Sequence, residues 1–93
     1  MKIFKYEMPI TDNPLVEMPE GAKVLSFNTQ NGVPCIWALV DPAAKKVVRE
    51  FYIYGTGHKI YTDNRQILPD YIGTIVTMGG ALVWHLFQRA QRG

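Results

Sequence analysis

The chain has a single cysteine, Cys35, so no internal disulfide can form. Small secreted domains are commonly stapled by several disulfides, and a lone thiol is more at home in a reducing cytosol. Histidine is scarce too, with only His58 and His85. A zinc site needs three or four ligands at workable spacing, so no metal and no other cofactor is expected. Charge of one sign is also lacking: ten basic residues face eight acidic ones, for a net charge of +2. Duplex-binding proteins carry a clear basic face. Here the cations are spread out, with small groups at Lys45, Lys46 and Arg49 and at Arg89 and Arg92. Duplex nucleic acid is therefore not an expected partner, whereas a small anion, which needs only one or two cations, remains open.

Long hydrophobic runs are missing as well. The longest apolar stretch near the C-terminus, Gly79 to Phe87, contains His85 and is far too short to span a bilayer. Met1 to Met8 alternates charged with apolar residues and has no apolar core of a signal peptide. Neither membrane nor secretion is expected. Helical periodicity is absent over the ten or so residues that a helix usually needs. Pro42-Ala43-Ala44 and Asn64–Leu68 have room for one helical turn each.

What is present is alternation. With 93 residues there is room for one domain and one core, residues 1–93, with 89–93 as a frayed tail. Aromatics make up 12% of the chain and charges only 19%, the reverse of a disordered composition. Period-two patterns bounded by Gly, Pro and Asn mark strands at Lys2–Met8, Leu15–Met18, Lys23–Gln30, Val33–Asp41, Val47–Tyr54, Tyr71–Met78 and Ala81–Gln88. Asn31-Gly32 suits a tight type I′ turn, and Gly79-Gly80 centres a second hairpin. Val33–Asp41 is nearly all apolar, as a strand buried on both faces would be. Pro34 belongs at its start or at a bulge. The expected fold is mainly β: a single small antiparallel β-sandwich or partly open barrel of about six or seven strands.

The sharpest local feature is Tyr54-Gly55-Thr56-Gly57-His58-Lys59. Two glycines one residue apart let backbone amides turn inward as an anion-binding nest. Thr56 adds a hydroxyl, His58 and Lys59 add positive charge, and Arg49 can grip phosphate bidentately. Tyr54 and Tyr61 flank the loop and can wall or stack on a base. The same residues also read as a glycine-rich turn leaving a strand. The loop matches neither a Walker loop nor a Rossmann fingerprint, which need further glycines and a following helix. Trp37 and Trp84, inside apolar strands, read as core, and His85 reads as a satisfied, partly buried histidine. Cys35 lies in an apolar strand where buried thiols are inert, and the carboxylates are scattered. No nucleophile–base–orienter set stands out, so an enzyme is not expected.

Four stretches together, Lys2–Tyr6, Gln30–Pro42 (QNGVPCIWALVDP), Ile53–His58 (IYGTGH) and Gly79–Phe87 (GGALVWHLF), resemble a family of small phage and prophage proteins known as a domain of unknown function. The resemblance covers nearly the whole chain. It implies a viral accessory protein in the cytoplasm of an infected bacterial host, and it carries no activity to transfer. Small phage proteins without catalytic apparatus commonly act by binding. The leading expectation is counter-defence by a sponge-like homo-oligomer that sequesters a small anionic ligand, a cyclic nucleotide signal. Its ligand-binding residues would be Gly55, Thr56, Gly57, His58, Lys59, Tyr54, Tyr61 and Arg49. The alternatives are an interaction module that inhibits a host or defence enzyme through a sheet edge or aromatic patch, and a minor virion component.

Overall fold

Among the described residues, strand-length alternation becomes seven strands: β1 (Lys2–Glu7), β2 (Leu15–Pro19), β3 (Lys23–Gln30), β4 (Val33–Val40), β5 (Lys46–Gly55), β6 (Asp70–Thr77) and β7 (Leu82–Gln88). The computed structural model describes residues 1–60 and 68–89. The strands form two antiparallel sheets, ordered β1-β4-β3 and β2-β5-β7-β6. They make an open sandwich rather than a closed barrel.

The Asn31-Gly32 dipeptide turns as its composition requires. Both residues have positive φ (51° and 79°), the type I′ geometry whose twist matches the flanking strands. This sets the register from Gln30↔Val33 to Ser26↔Trp37, beyond which a bulge between Val24 and Ser26 shifts it. The second hairpin is wider than its glycine pair suggests. Met78, Gly79 and Gly80 all have positive φ, and the Ala81 N–H donates to the Met78 carbonyl at 3.2 Å. The expected helical turn at Pro42–Ala44 is instead a tight turn held by Asp41, which accepts from the Ala43 N–H through its carboxylate and from the Ala44 N–H through its carbonyl. The other expected turn, Asn64–Leu68, lies largely outside the described residues.

The core sits between the sheets. From the three-stranded sheet come Phe27, Ile36, Ala38 and Val40; from the four-stranded sheet come Val16, Met18, Phe51, Ile53, Ile75 and Leu86; Met8 and Ala22 close the ends. Burying each large side chain stabilises the fold by about 1.5–3 kcal/mol. The expectation that β4 is buried on both faces needs correcting. Ile36, Ala38 and Val40 point inward, while Trp37 and Leu39 point outward and are half-buried, because successive side chains in a strand alternate faces. Trp37 is thus outside the core and Trp84, on the inner face of β7, packs against it. Cys35 shares the outward face of β4 yet is buried, its thiol donating to the Val33 carbonyl at 3.4 Å.

The long strand β5 organises the second sheet. Its first half pairs with β2 and its second half with β7. Where β2 stops, the segment before it continues the pairing: the Phe51 N–H donates to the Pro14 carbonyl and the Ile53 N–H to the Asp12 carbonyl. Asn13 Nδ2 adds a bond to the Phe51 carbonyl at 2.6 Å. From Glu50 to Ile53, β5 is therefore flanked on both edges, and its end delivers Tyr54 and Gly55 to the rim of the sheet.

Candidate functional site

Alternation along β5 sends Phe51 and Ile53 into the core and Tyr52 and Tyr54 to the outer face of the four-stranded sheet. Opposite them on β7 stand Phe87 and His85, and beyond those on β6 stand Tyr71 and Thr74. The outer face thus carries two neighbouring rows, Tyr52–Phe87–Tyr71 and Tyr54–His85–Thr74. The rings of Tyr54 and Tyr71 both meet Phe87 edge-on, with centroids 5.6 and 5.4 Å away, the geometry favoured by the aromatic quadrupole.

Beside the rings runs a chain of hydrogen bonds. Thr56 Oγ1 lies 2.8 Å from His85 Nε2, Thr74 Oγ1 lies 2.9 Å from His85 Nδ1, and the Tyr71 hydroxyl lies 2.6 Å from Thr74 Oγ1. A neutral imidazole has one N–H and one bare nitrogen. In that form one threonine hydroxyl donates to the ring and the other accepts from it. The chain has two directions of donation and can reverse by rotating hydroxyls and shifting a ring proton.

The Gly55–Lys59 turn sits at the rim of this face. The His58 N–H donates to the Gly55 carbonyl at 3.1 Å, and the Gly55 N–H donates to His58 Nδ1 at 3.2 Å. The imidazole lies flat over Gly55, where a Cβ would come within 2.8 Å of the ring. Glycine is required there by the close approach of the ring. At Gly57 it is required by backbone, with φ at +87°.

Of the residues expected to bind an anion, Gly55, Thr56, Gly57, His58 and Lys59 are consecutive on the rim, and Tyr54 stands at their foot on the outer face. Several of their polar groups already have partners within the fold: the Gly55 amide donates to His58 Nδ1, the His58 amide donates to the Gly55 carbonyl, and the Thr56 hydroxyl bonds to His85. Tyr61 lies outside the described residues. Arg49 is not brought to the turn. It stands six residues back along β5, about 20 Å away at the usual strand rise. Its guanidinium donates to the Ala22 carbonyl at 2.7 Å and to Gln88 Oε1 at 2.9 Å. Burial lowers its pKa from the usual arginine value, and it acts as a bracket between the β2–β3 turn and β7.

Sequence reasoning missed the grouping of Tyr71, Thr74 and His85. A bulge between Tyr71 and Gly73 is the reason. Strict alternation places residues 71 and 74 on opposite faces, and the extra residue puts them on the same one. On the adjoining part of the face, the Tyr52 hydroxyl donates to Glu50 Oε1 at 2.8 Å. Burial, and then the Glu50 carboxylate, push the Tyr52 pKa above its ordinary value. Arg89 Nη1 stands 4.0 Å from the same carboxylate oxygen. No group of three or more His, Cys, Asp or Glu side chains among the described residues is placed to hold a metal ion. No helix among them is long and apolar enough to cross a membrane.

Fold and face together define a small all-β sandwich domain with an aromatic outer sheet. The chain belongs to the family described as Domain of unknown function (DUF7352), whose model matches residues 1–93. No curated protein and no solved structure matches it.

Proposed function

We propose that this is a non-enzymatic binding protein, a phage accessory factor of the infected bacterial cytoplasm that sequesters a small anionic nucleotide signal. The observation that carries this reading is the meeting of rings and rim. Tyr54, Phe87 and Tyr71 offer faces and edges to a base, while the adjoining turn offers Thr56, His58 and Lys59 to a phosphate. Stacking contributes about 1–3 kcal/mol per base, and one or two cations suffice for a small anion. A ligand here would exchange the Thr56–His85 and Gly55–His58 bonds for bonds to itself, so its affinity depends on recovering them.

The test is native mass spectrometry of the protein as purified from cells, with and without a panel of cyclic di- and trinucleotides. Retention of a nucleotide mass, lost in Thr56→Ala and His58→Ala variants that keep their circular dichroism, is the expected result. A bare species that ignores the whole panel overturns the reading.

A second reading, capture of a host protein, draws on a specific observation. Beyond the rings, the outer face carries exposed Leu15 and Val48, set between Glu50 and Glu17. It predicts one stoichiometric host partner in a pull-down and no nucleotide in the denatured eluate.

A further inference from the structure

We infer that the two histidines set the hydrogen-bond donors which the glycine turn offers to an anion. His58 is held as an Nε2–H donor, and an anion at the turn draws His85 into the one tautomer that frees the Thr56 hydrogen. The inference rests on the ligand reading and deepens it.

The state of His58 follows from a single bond. The Gly55 N–H donates to His58 Nδ1 at 3.2 Å, so that nitrogen is bare. A neutral imidazole then carries its one hydrogen on the other nitrogen. His58 is an exposed residue of the turn, and its Nε2–H is a donor with a fixed identity.

His85 is different, because hydroxyls meet both of its nitrogens. Thr56, His85, Thr74 and Tyr71 are joined by three hydrogen bonds. With the ring neutral they carry four polar hydrogens, one on each hydroxyl and one on the imidazole. Each bond uses one, and one is spare. In the Nδ1–H form Nε2 is bare, so Thr56 donates to it, and the spare hydrogen lies on Thr74 or Tyr71. In the Nε2–H form the ring donates to Thr56, Thr74 donates to Nδ1 and Tyr71 donates to Thr74. The spare hydrogen is then on Thr56, at the turn.

An anion accepts hydrogen bonds, and only the second form gives it the Thr56 hydrogen with all three internal bonds kept. Passing between the forms, a proton leaves Nδ1 for solvent, another joins Nε2 from solvent, and the hydroxyls rotate. No hydrogen is gained or lost. The bond that Thr56 gives up on binding is thus recovered by the same two side chains bonding in reverse, which spares the cost of an unmet partner.

The far end of the chain changes with it. In the Nε2–H form the Tyr71 hydrogen is spent on Thr74, and its oxygen is left to accept. Tyr71 meets Phe87 on the face where the ligand reading seats a base. The site therefore favours a ligand with an anion at one end and an N–H donor at the other, as in an amino-bearing base joined to phosphate.

The experiment is a titration of the full 15N-labelled chain with sodium sulfate at constant ionic strength, following both imidazoles in long-range 1H–15N spectra. Sulfate accepts hydrogen bonds and has no hydrogen to donate. The titration is run where the spectra show both rings neutral, since an imidazolium donates from both nitrogens and frees Thr56 without a tautomer shift. The expected result is a His58 ring in the Nε2–H form throughout. The His85 population should move from Nδ1–H to Nε2–H along the same curve as the Gly57 amide shift. Thr56→Val, with its fold checked by circular dichroism, should abolish the His85 change and weaken sulfate at least about tenfold, as loss of a hydrogen bond to a charged group does. A His85 ring in the Nδ1–H form at saturation, or one wholly Nε2–H before sulfate is added, overturns the inference and leaves the anion site standing. So does a His58 ring that carries its hydrogen on Nδ1. Sulfate that moves neither the Gly57 amide nor either ring overturns the inference and the anion site together.

Discussion

Thr56 and His85, 29 residues apart in sequence, share a 2.8 Å hydrogen bond, and this bond ties the glycine turn to the middle of the sheet. The turn therefore has a fixed seat. His85 also holds Thr74, so one side chain joins β7 to its two flanking elements.

Replacing His85 by alanine should remove both bonds. Each contributes about 0.5–1.5 kcal/mol net, so the expected loss is about 1–3 kcal/mol, read as a lower urea midpoint with an unchanged slope. A double-mutant cycle between His85→Ala and Thr56→Val should give a coupling energy of about 0.5 kcal/mol or more. Simple additivity would mean that the two side chains do not hold each other.

Gly55→Ala should displace the His58 ring, because the new Cβ would stand 2.8 Å from it. The ring is the free end of a side chain, so the stability change should be small, about 1 kcal/mol or less, the order of one lost hydrogen bond. Imidazole and Gly55 amide resonances should both shift. An unmoved His58 resonance would contradict the stacked turn.

Tyr52 gives a pH signature. Its raised pKa means that the folded state favours the neutral phenol. The stabilisation is therefore complete below the ordinary tyrosine value of about 10 and is lost as pH rises through the higher folded value. Glu50→Gln should bring the Tyr52 titration down towards its ordinary value without reaching it, since burial is the larger cause. Phenolate absorbance followed on alkaline titration reads this directly, and a Tyr52→Phe variant identifies the signal.

Arg49→Lys should not be a quiet substitution. The guanidinium spans the Ala22 carbonyl and Gln88 Oε1 at once, and an ammonium on a different stem cannot reproduce that fork. Loss of about 1.5–3 kcal/mol is expected, the range for a bond to a charged group. Any nucleotide affinity should be nearly unaffected, because Arg49 lies far from the rim. A large fall in affinity with unchanged stability would return Arg49 to the site.

Most of the fold was legible because the strands obey alternation and their ends carry strong punctuation. Lys23–Gln30, Asn31-Gly32 and the start of β4 at Val33 follow directly from β-branched residues around a dipeptide that tolerates positive φ. The inward and outward sides of β4 were not legible, since Cys35 to Val40 is apolar at every position and offers no contrast to read. The glycine turn was visible from its spacing, but its partners were not. His85 reaches Thr56 through strand order, which no local pattern encodes, and Thr74 joins them only through the bulge after Tyr71. Arg49 looked like an anion ligand because its charge is legible in sequence, whereas the Ala22 carbonyl that receives it belongs to the backbone and leaves no sequence trace.

Cys35 is 1% exposed on the central strand of its sheet, and this gives the wild-type chain a built-in clock. A thiol reagent in solution reaches that sulfur only after the structure over it opens. Under excess reagent, the labelling rate therefore counts opening events one molecule at a time, with no reporter added and no residue changed. If β4 opens only when the whole sandwich does, the rate will track global unfolding. If β1 peels away first, the sulfur will be labelled early, and the three-stranded sheet will be revealed as the hinge side of the molecule.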